Sequence, residues 1–320
     1  MTKQAINEAG HESTLAQAPG TPPPLLVARD LTVTYLTGGE PVVAIAGATV
    51  EIVPGERVAL VGESGSGKST LGLALAGLLA GPDIEITSST LTFAGKPVAW
   101  RRNHRLPVRT PGIAMVFQDA MTSVDPVWTI GSQLSSVLRA TEKTSRRAAK
   151  EHARDWLLRV GLKDTERVMH AHPYELSGGM RQRAMIALAL CSKPSLLIAD
   201  EPTSALDATL SRRTLELLLQ LTEQSGTALL IISHDIGLCQ EFTQRTLVAY
   251  KGRLVDEGPS DRLHEIAEHP YTHGLLGCIP TLDNADMDEL PTLESVYEQF
   301  RASGDDARVD VHAAQLSLST

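Results

Sequence analysis

The chain has 320 residues, of which 42% are hydrophobic and 21% charged, enough apolar material for one large or two modest cored domains and too much for a globally disordered chain. Its net charge of −9 is concentrated at the C-terminus, where residues 283–320 carry nine acidic and two basic side chains against 29 and 27 in the remainder. No segment reads as a broad basic face, which argues against a nucleic-acid binder.

Residues 1–24 are polar, lack periodicity and end in Pro19, Pro22, Pro23 and Pro24, which predicts a flexible leader. Three β-rich runs follow, Leu26–Tyr35, Val42–Ile52 and Arg57–Val61, separated by the turn signals Gly38-Gly39 and Pro54-Gly55. After Gly67, Leu71, Leu75, Leu78 and Leu79 share one helical face, and Gly81-Pro82 is the expected stop. Strand signal returns at Thr87–Phe93 and Gly112–Phe117. Helices are predicted over Gly131–Arg139, over Ser145–Val160 with Gly161 as its stop, and from about Gly178 through Ile186 and Leu190. The fully apolar runs Leu196–Ala199 and Ala228–Ile232 flank a leucine-rich helix over Ala208–Gln224, which Asp207 caps and Gly226 ends. A strand, a crossover helix and a strand, with both strands apolar throughout, predict a buried parallel sheet. Leu247–Lys251 and Arg253–Glu257 then read as a hairpin around Gly252, and residues 283–320 as an acidic, disordered tail.

The longest apolar runs, Leu71–Ala80 and Ala184–Cys191, fall well short of the roughly 20 residues that span a bilayer. The leader lacks the apolar block of a secretory signal, so a cytoplasmic location is expected. Cys191, Cys239 and Cys278 form no C-x-x-C pair, and each suits a small buried hydrophobe better than a metal ligand.

Three stretches carry chemistry. Gly62-Glu63-Ser64-Gly65-Ser66-Gly67-Lys68-Ser69 fits the phosphate-loop pattern between a strand and a helix. Its glycines let backbone N–H groups converge on one anion, and the following helix start adds a positive dipole end. Lys68 would reach the β- and γ-phosphates, Ser69 would ligate Mg²⁺, and Thr70 would lie near the α- and β-phosphates. The apolar run Leu196–Ala199 delivers Asp200 and Glu201 at its C-terminal end. Asp200 is suited to hold Mg²⁺ through water and Glu201 to act as general base toward an attacking water. Alone that pair is a weak signal; beside a phosphate loop it is a strong one. Ser177-Gly178-Gly179 opens a helix with a bare N-terminus, which reads either as a second anion-binding device or as a flexible cap.

Taken with Gln118 in Val116-Phe117-Gln118-Asp119, Ser204-Ala205-Leu206-Asp207 and Ser233-His234-Asp235, these stretches stand in an order that resembles the ATP-binding-cassette ATPases over about residues 25–280. The resemblance implies an α/β P-loop NTPase fold with a RecA-like core, an antiparallel β subdomain and a helical signature subdomain. It implies that Tyr35 stacks on adenine, although a Tyr at a strand end also suits plain core. It further implies that Gln118 senses Mg²⁺ and the attacking water, that His234 contacts the γ-phosphate, and that Asp207 lines a dimer seam while capping its helix. In such a head-to-tail dimer, Ser177, Gly178 and Gly179 of one chain close over ATP held by the other.

The flanks Phe117–Pro126, Gly178–Arg183 and His269–Leu276 narrow the likeness to the oligopeptide, dipeptide and nickel importer ATPases. That subgroup implies two membrane-spanning permease subunits, a second, related ATPase in a mixed pair, a solute-binding protein reached indirectly, and a peripheral position on the cytoplasmic face of the inner membrane. The expected organisation is an ATPase domain over 25–258, an extension over 259–282 and the tail. A soluble cassette acting on nucleic acid or ribosomes is the rival class, and a nickel or other metal chelate the rival solute. Many members of the subgroup carry a cysteine-rich stretch associated with an iron–sulfur cluster; here only Cys278 lies in that region, so no cluster is expected. The segment Gln118–Leu134, with Met121, Val124, Val127 and Trp128 as exposed apolar residues, is expected either to receive a permease helix or to pack locally.

Overall fold

The computed structural model describes residues 22–36, 38–100, 110–118, 123–204 and 207–279. The acidic tail and nearly all of the leader lie outside them.

Two sheets organise the described residues. In the first, β1 (Leu26–Tyr35) pairs antiparallel with β2 (Val42–Ile52) along one edge. Its other edge is shared by β4 (Ile84–Thr87) and β5 (Thr90–Phe93), and the two-residue β6 (Lys96–Pro97) extends β5. The single strand expected over Thr87–Phe93 is therefore two. A bulge in β1 is the cause: Asp30 sits at φ 53°, and Ser89 leaves the ladder to bond Asp30 Oδ2 at 2.7 Å and the Arg29 carbonyl at 3.2 Å.

The second sheet holds six strands, β3 (Arg57–Val61), β7 (Ile113–Val116), β8 (Leu196–Asp200), β9 (Ala228–Ser233), β10 (Arg245–Tyr250) and β11 (Arg253–Pro259). Their order is β11-β10-β3-β9-β8-β7. All neighbours are parallel except β11 on β10. Because both faces are covered, alternate residues feed different cores: Ala59, Val61, Leu197, Ala199, Leu229 and Ile231 enter one, and Val58, Leu60, Leu196, Ile198, Leu230 and Ile232 the other. At roughly 1.5–3 kcal/mol for each large apolar side chain fully buried, these central strands are the main stabilising mass of the fold.

Helix α1 (Lys68–Leu75) lies between the two sheets, with Leu71, Ala74 and Leu75 in the second core. It stops earlier than its leucine spacing suggests. Gly77 takes φ 70°, and the Gly77 and Leu78 amides fold back onto the Ala74 and Leu73 carbonyls, which closes the helix before Gly81. A helical layer covers the opposite core: α2 (Ile130–Glu142), α3 (Arg146–Arg159), α4 (Thr165–His170) and α5 (Gly178–Leu190). Thr129, Ser145 and Ser177 cap α2, α3 and α5 through side-chain oxygens. Gly161, at φ 78°, follows the end of α3 as expected. Helix α6 (Ala208–Ser225) is capped by Asp207 and ended by Gly226 at φ 66°. Helix α7 (Ile236–Phe242) follows β9, and after β11 come α8 (Leu263–Ile266) and α9 (Pro270–Gly277), the last packed against α7.

The strand order fixes where the chemistry collects. Strand β9 lies between β3 and β8, with Val61 opposite Ser233 and Ile232 opposite Asp200. The three chain segments that leave this edge begin at Gly62, His234 and Glu201, so they emerge side by side at the carboxyl ends of parallel strands.

Candidate functional site

The loop from Gly62 to Gly67 turns because glycine stands where no side chain fits. Gly62 (φ 152°) would place a Cβ 2.1 Å from the Ala249 carbonyl oxygen, and Gly67 (φ 94°) one 2.4 Å from that of Ala44. Lys68 is buried and curls back over the loop, donating from Nζ to the carbonyls of Gly62 (2.8 Å) and Glu63 (2.7 Å). Burial pushes the Lys68 pKa down, while Glu201, Asp200 and Glu63 oppose that shift. Those two carbonyls are the acceptors that phosphate oxygens would replace as partners of Lys68. Tyr35 lies with its hydroxyl 3.3 Å from Thr70 Oγ1, joining the antiparallel sheet to the first turn of α1.

Ser69 Oγ donates to Asp200 Oδ1 at 3.0 Å, across from β8. Burial raises the Asp200 pKa, the Ser69 hydrogen bond and the Lys68 charge oppose the rise, and Glu201 adds to it. A desolvated carboxylate bonded to a hydroxyl is a donor set that a hard divalent cation would neutralise, so these residues fit Mg²⁺. Next to it, Glu201 stands at φ 44°, a left-handed conformation uncommon outside glycine and Asn. Its N–H donates to the Ile232 carbonyl at 2.8 Å, which locks that geometry against β9. Glu201 Oε2 accepts from Gln118 Nε2 at 2.9 Å, and Oε1 is 3.6 Å from His234 Nδ1. Three residues at the ends of β7, β8 and β9 thereby form one polar cluster around a carboxylate, which is the geometry a water-activating base needs.

The start of α5 is not joined to that cluster by its own bonds. Ser177 and Gly178 are exposed, and the Ser177 hydroxyl accepts from Met180 N at 3.4 Å within its own helix. Asp207 likewise accepts from Leu210 N at 2.9 Å. Gln182, one turn into α5, donates to the Pro202 carbonyl and ties the signature helix to the segment after Glu201.

Two expectations need correction. Val124 is 1% exposed and packs in the core with Ile130 and Leu134, so it is no part of an open apolar surface; Met121 lies outside the described residues. Val127 and Trp128 are the exposed apolar pair, at 72% and 61%. Gln133 holds their turn in place by donating to the carbonyls of Asp125 and Trp128, both at 2.9 Å. Secondly, basic residues do converge. Arg139, Arg146, Arg147, Lys150 and Arg154 line a cleft of about 1110 Å³ between α2 and α3 together with Asp125 and Glu151, with Trp128 at its edge; Arg147 and Arg154 are already paired with Glu151 and Glu166. Spacing along two helices hid this patch from a reading of consecutive residues.

One contact had no counterpart in the motifs: the Tyr271 hydroxyl, on α9, accepts from the Glu63 N–H at 2.6 Å. The string His269-Pro270-Tyr271-Thr272 marked a subgroup without assigning that tyrosine a role.

The ABC transporter family profile matches residues 45–204. A Brucella melitensis biotype 1 protein, provisionally named as a peptide import ATP-binding protein, is 43% identical over 268 residues, 82% of this chain and 79% of that one. The oligopeptide transport ATP-binding protein OppD of Bacillus subtilis is 40% identical over 270 residues, 84% and 75% of the two chains. Among solved structures, the dimeric cassette MJ0796 bound to ADP and phosphate superposes with TM-score 0.62 at 26% identity, covering 73% of this chain and 98% of that one. Clostridium perfringens cbiO1 superposes with TM-score 0.61 at 23% identity, over 76% and 91%.

Proposed function

The chain belongs to the ATP-binding-cassette transporter family, and from that premise we infer that it is the ATP-hydrolysing subunit of a bacterial importer for peptides. The observation that carries the chemistry is the cluster of Gln118, Glu201 and His234 beside a phosphate loop whose Ser69 reaches Asp200. We read residues 25–258 as the ATPase domain and 259–282 as its extension. Lys68 and the backbone N–H groups of the loop other than that of Glu63, which is given to Tyr271, bind the phosphates, and Tyr35 borders the nucleotide. Glu201 takes the proton of the attacking water, which Gln118 orients, while His234 faces the γ-phosphate. Ser69, Asp200 and Gln118 would hold Mg²⁺, which when bound offsets the charge of the β- and γ-phosphates. Catalysis of this kind is positioning plus charge stabilisation.

Half of the composite site comes from elsewhere. The exposed Ser177-Gly178-Gly179 start suits an anion presented by a second cassette, with Asp207 at the seam, and the second cassette is a related ATPase in a mixed pair. Among the described residues no helix is long and apolar enough to cross a membrane, so attachment comes through two permease subunits, which a solute-binding protein supplies. Their cytoplasmic helices dock at the cleft between α2 and α3, where Trp128, with the exposed Val127 beside it in sequence, offers an apolar anchor and Arg139, Arg146 and Lys150 favour an acidic partner. Trp128→Glu and Arg146→Glu should each reduce peptide uptake by about tenfold or more while leaving ATP affinity within about twofold, since neither residue touches the nucleotide loop. Uptake of a radiolabelled peptide by cells carrying the variants, with ATP binding measured on the purified chain, checks this. Unchanged uptake in both variants would remove the cleft from the docking surface. A charge at Val124, by contrast, should unfold the region rather than report on docking, because the site is buried.

A further inference from the structure

The peptide unit between Gly62 and Glu63 is gripped at both ends. Its carbonyl accepts from Lys68 Nζ at 2.8 Å and its N–H donates to the Tyr271 hydroxyl at 2.6 Å. The two grips differ in kind. Lys68 is the loop's own cation, which on the ATP-loop reading would turn to the phosphates. Tyr271 comes from a helix 208 positions away and is a neutral partner from outside the loop.

Everything around Tyr271 keeps it in place. Its side chain is fully buried, and its ring stacks on that of Tyr250 at 4.4 Å between centroids. Tyr250 follows Ala249, whose carbonyl is the atom that keeps position 62 free of a side chain. The helix carrying Tyr271 is fastened to β11 by one carboxylate. Asp256 accepts from the N–H groups of Glu268 (3.0 Å) and His269 (3.1 Å) and from the Thr272 hydroxyl. His269 Nδ1 accepts from Tyr271 N at 3.1 Å and completes the cap. Beyond the helix, Ile279 lies against Gly237 in the first turn of α7, where an added Cβ would come within 3.2 Å of it. The extension therefore touches the phosphate loop at one end and the helix after His234 at the other. Burial lifts the Tyr271 pKa to about 12, which keeps it a neutral phenol at working pH.

We propose that the segment after β11 is a brace for the phosphate loop, with Tyr271 a positioning residue that holds the 62–63 peptide in its anion-binding orientation when Lys68 moves to the nucleotide. The proposal rests on residues 62–69 being the ATP loop.

Tyr271→Phe removes only the oxygen and leaves the Glu63 N–H unpaired, a defect that should weaken nucleotide binding by about tenfold. On the full-length chain, the Kd of a fluorescent ATP analogue and the KM for ATP should both rise by that factor, with kcat changed less than about threefold. A tyrosine serving stability alone would lower the melting temperature and leave Kd and KM at the wild-type values, and that result overturns the proposal. Should Tyr271→Phe fail to fold, Thr272→Val, which loosens the Asp256 fastening and spares the phenol, takes its place: a Kd raised about threefold supports the brace and an unchanged Kd overturns it. Lys68→Ala separates the two levels of the argument. If it binds the analogue like the wild type, the reading of the loop itself fails; if it loses binding while Tyr271→Phe does not, only the brace fails.

Discussion

Glu201→Gln should bind ATP with near wild-type affinity and hydrolyse it about 10²–10⁴ times more slowly, the usual span for loss of a positioned general base. The geometry makes this a clean substitution. The amide oxygen still accepts from Gln118 Nε2, now 2.9 Å from the carboxylate, and the left-handed backbone at φ 44° is unaffected because the shape is unchanged. What disappears is the capacity to take a proton from water. Binding without turnover should also prolong the closed dimer. Phosphate release under single-turnover conditions, with analogue binding as the control, measures both halves. Hydrolysis at the wild-type rate would mean that another group is the base, and His234, 3.6 Å from the same carboxylate, would be the next to test.

Lys68→Ala should act at the earlier step, raising the Kd for ATP by about 10²-fold. Charge-assisted hydrogen bonds are worth roughly 1.5–3 kcal/mol, and Lys68 is the cation placed to make them to phosphate. In the free chain the loss is smaller, since only two bonds to loop carbonyls go with it and the neighbouring carboxylates lose a counter-charge. The expected pattern is thus a modest fall in melting temperature and a large fall in affinity. Equal affinities for the variant and the wild type, by titration calorimetry, would place the phosphates elsewhere.

The contrast between contiguous and scattered signals explains what could be read in advance. Strands Leu26–Tyr35, Val42–Ile52 and Arg57–Val61 were legible to the residue, because turn formers bound them on both sides. In the polar cluster, Glu201 was legible beside the phosphate loop, whereas Gln118 and His234 were legible only through the resemblance to the cassette ATPases. Their meeting was implied by the parallel sheet, because strands of one sheet deliver their carboxyl ends to one edge. Other features depend on tertiary packing that periodicity does not record. Val124 sits in a polar, turn-rich string yet is covered by α2. Helix α4, at six residues, is too short to show a period. The break at Ser88-Ser89 follows from a bulge on a different strand. The Tyr271–Glu63 contact joins positions 208 apart, and local pattern cannot carry that pairing.

The bare start of α5 has a kinetic consequence. Ser177 and Gly178 are exposed and make no bond to their own chain's polar cluster in the described residues, so on the proposed head-to-tail pairing a single molecule would hold one part of two different catalytic sites and the whole of neither. Hydrolysis by dilute protein should then be bimolecular, proportional to the product of the two cassettes' concentrations rather than to either alone. Held side by side on a permease, the same pair would feel an effective concentration in the millimolar range, as short tethers typically give. A free subunit would spend little ATP, and the transporter would switch on its own ATPase by the act of assembling.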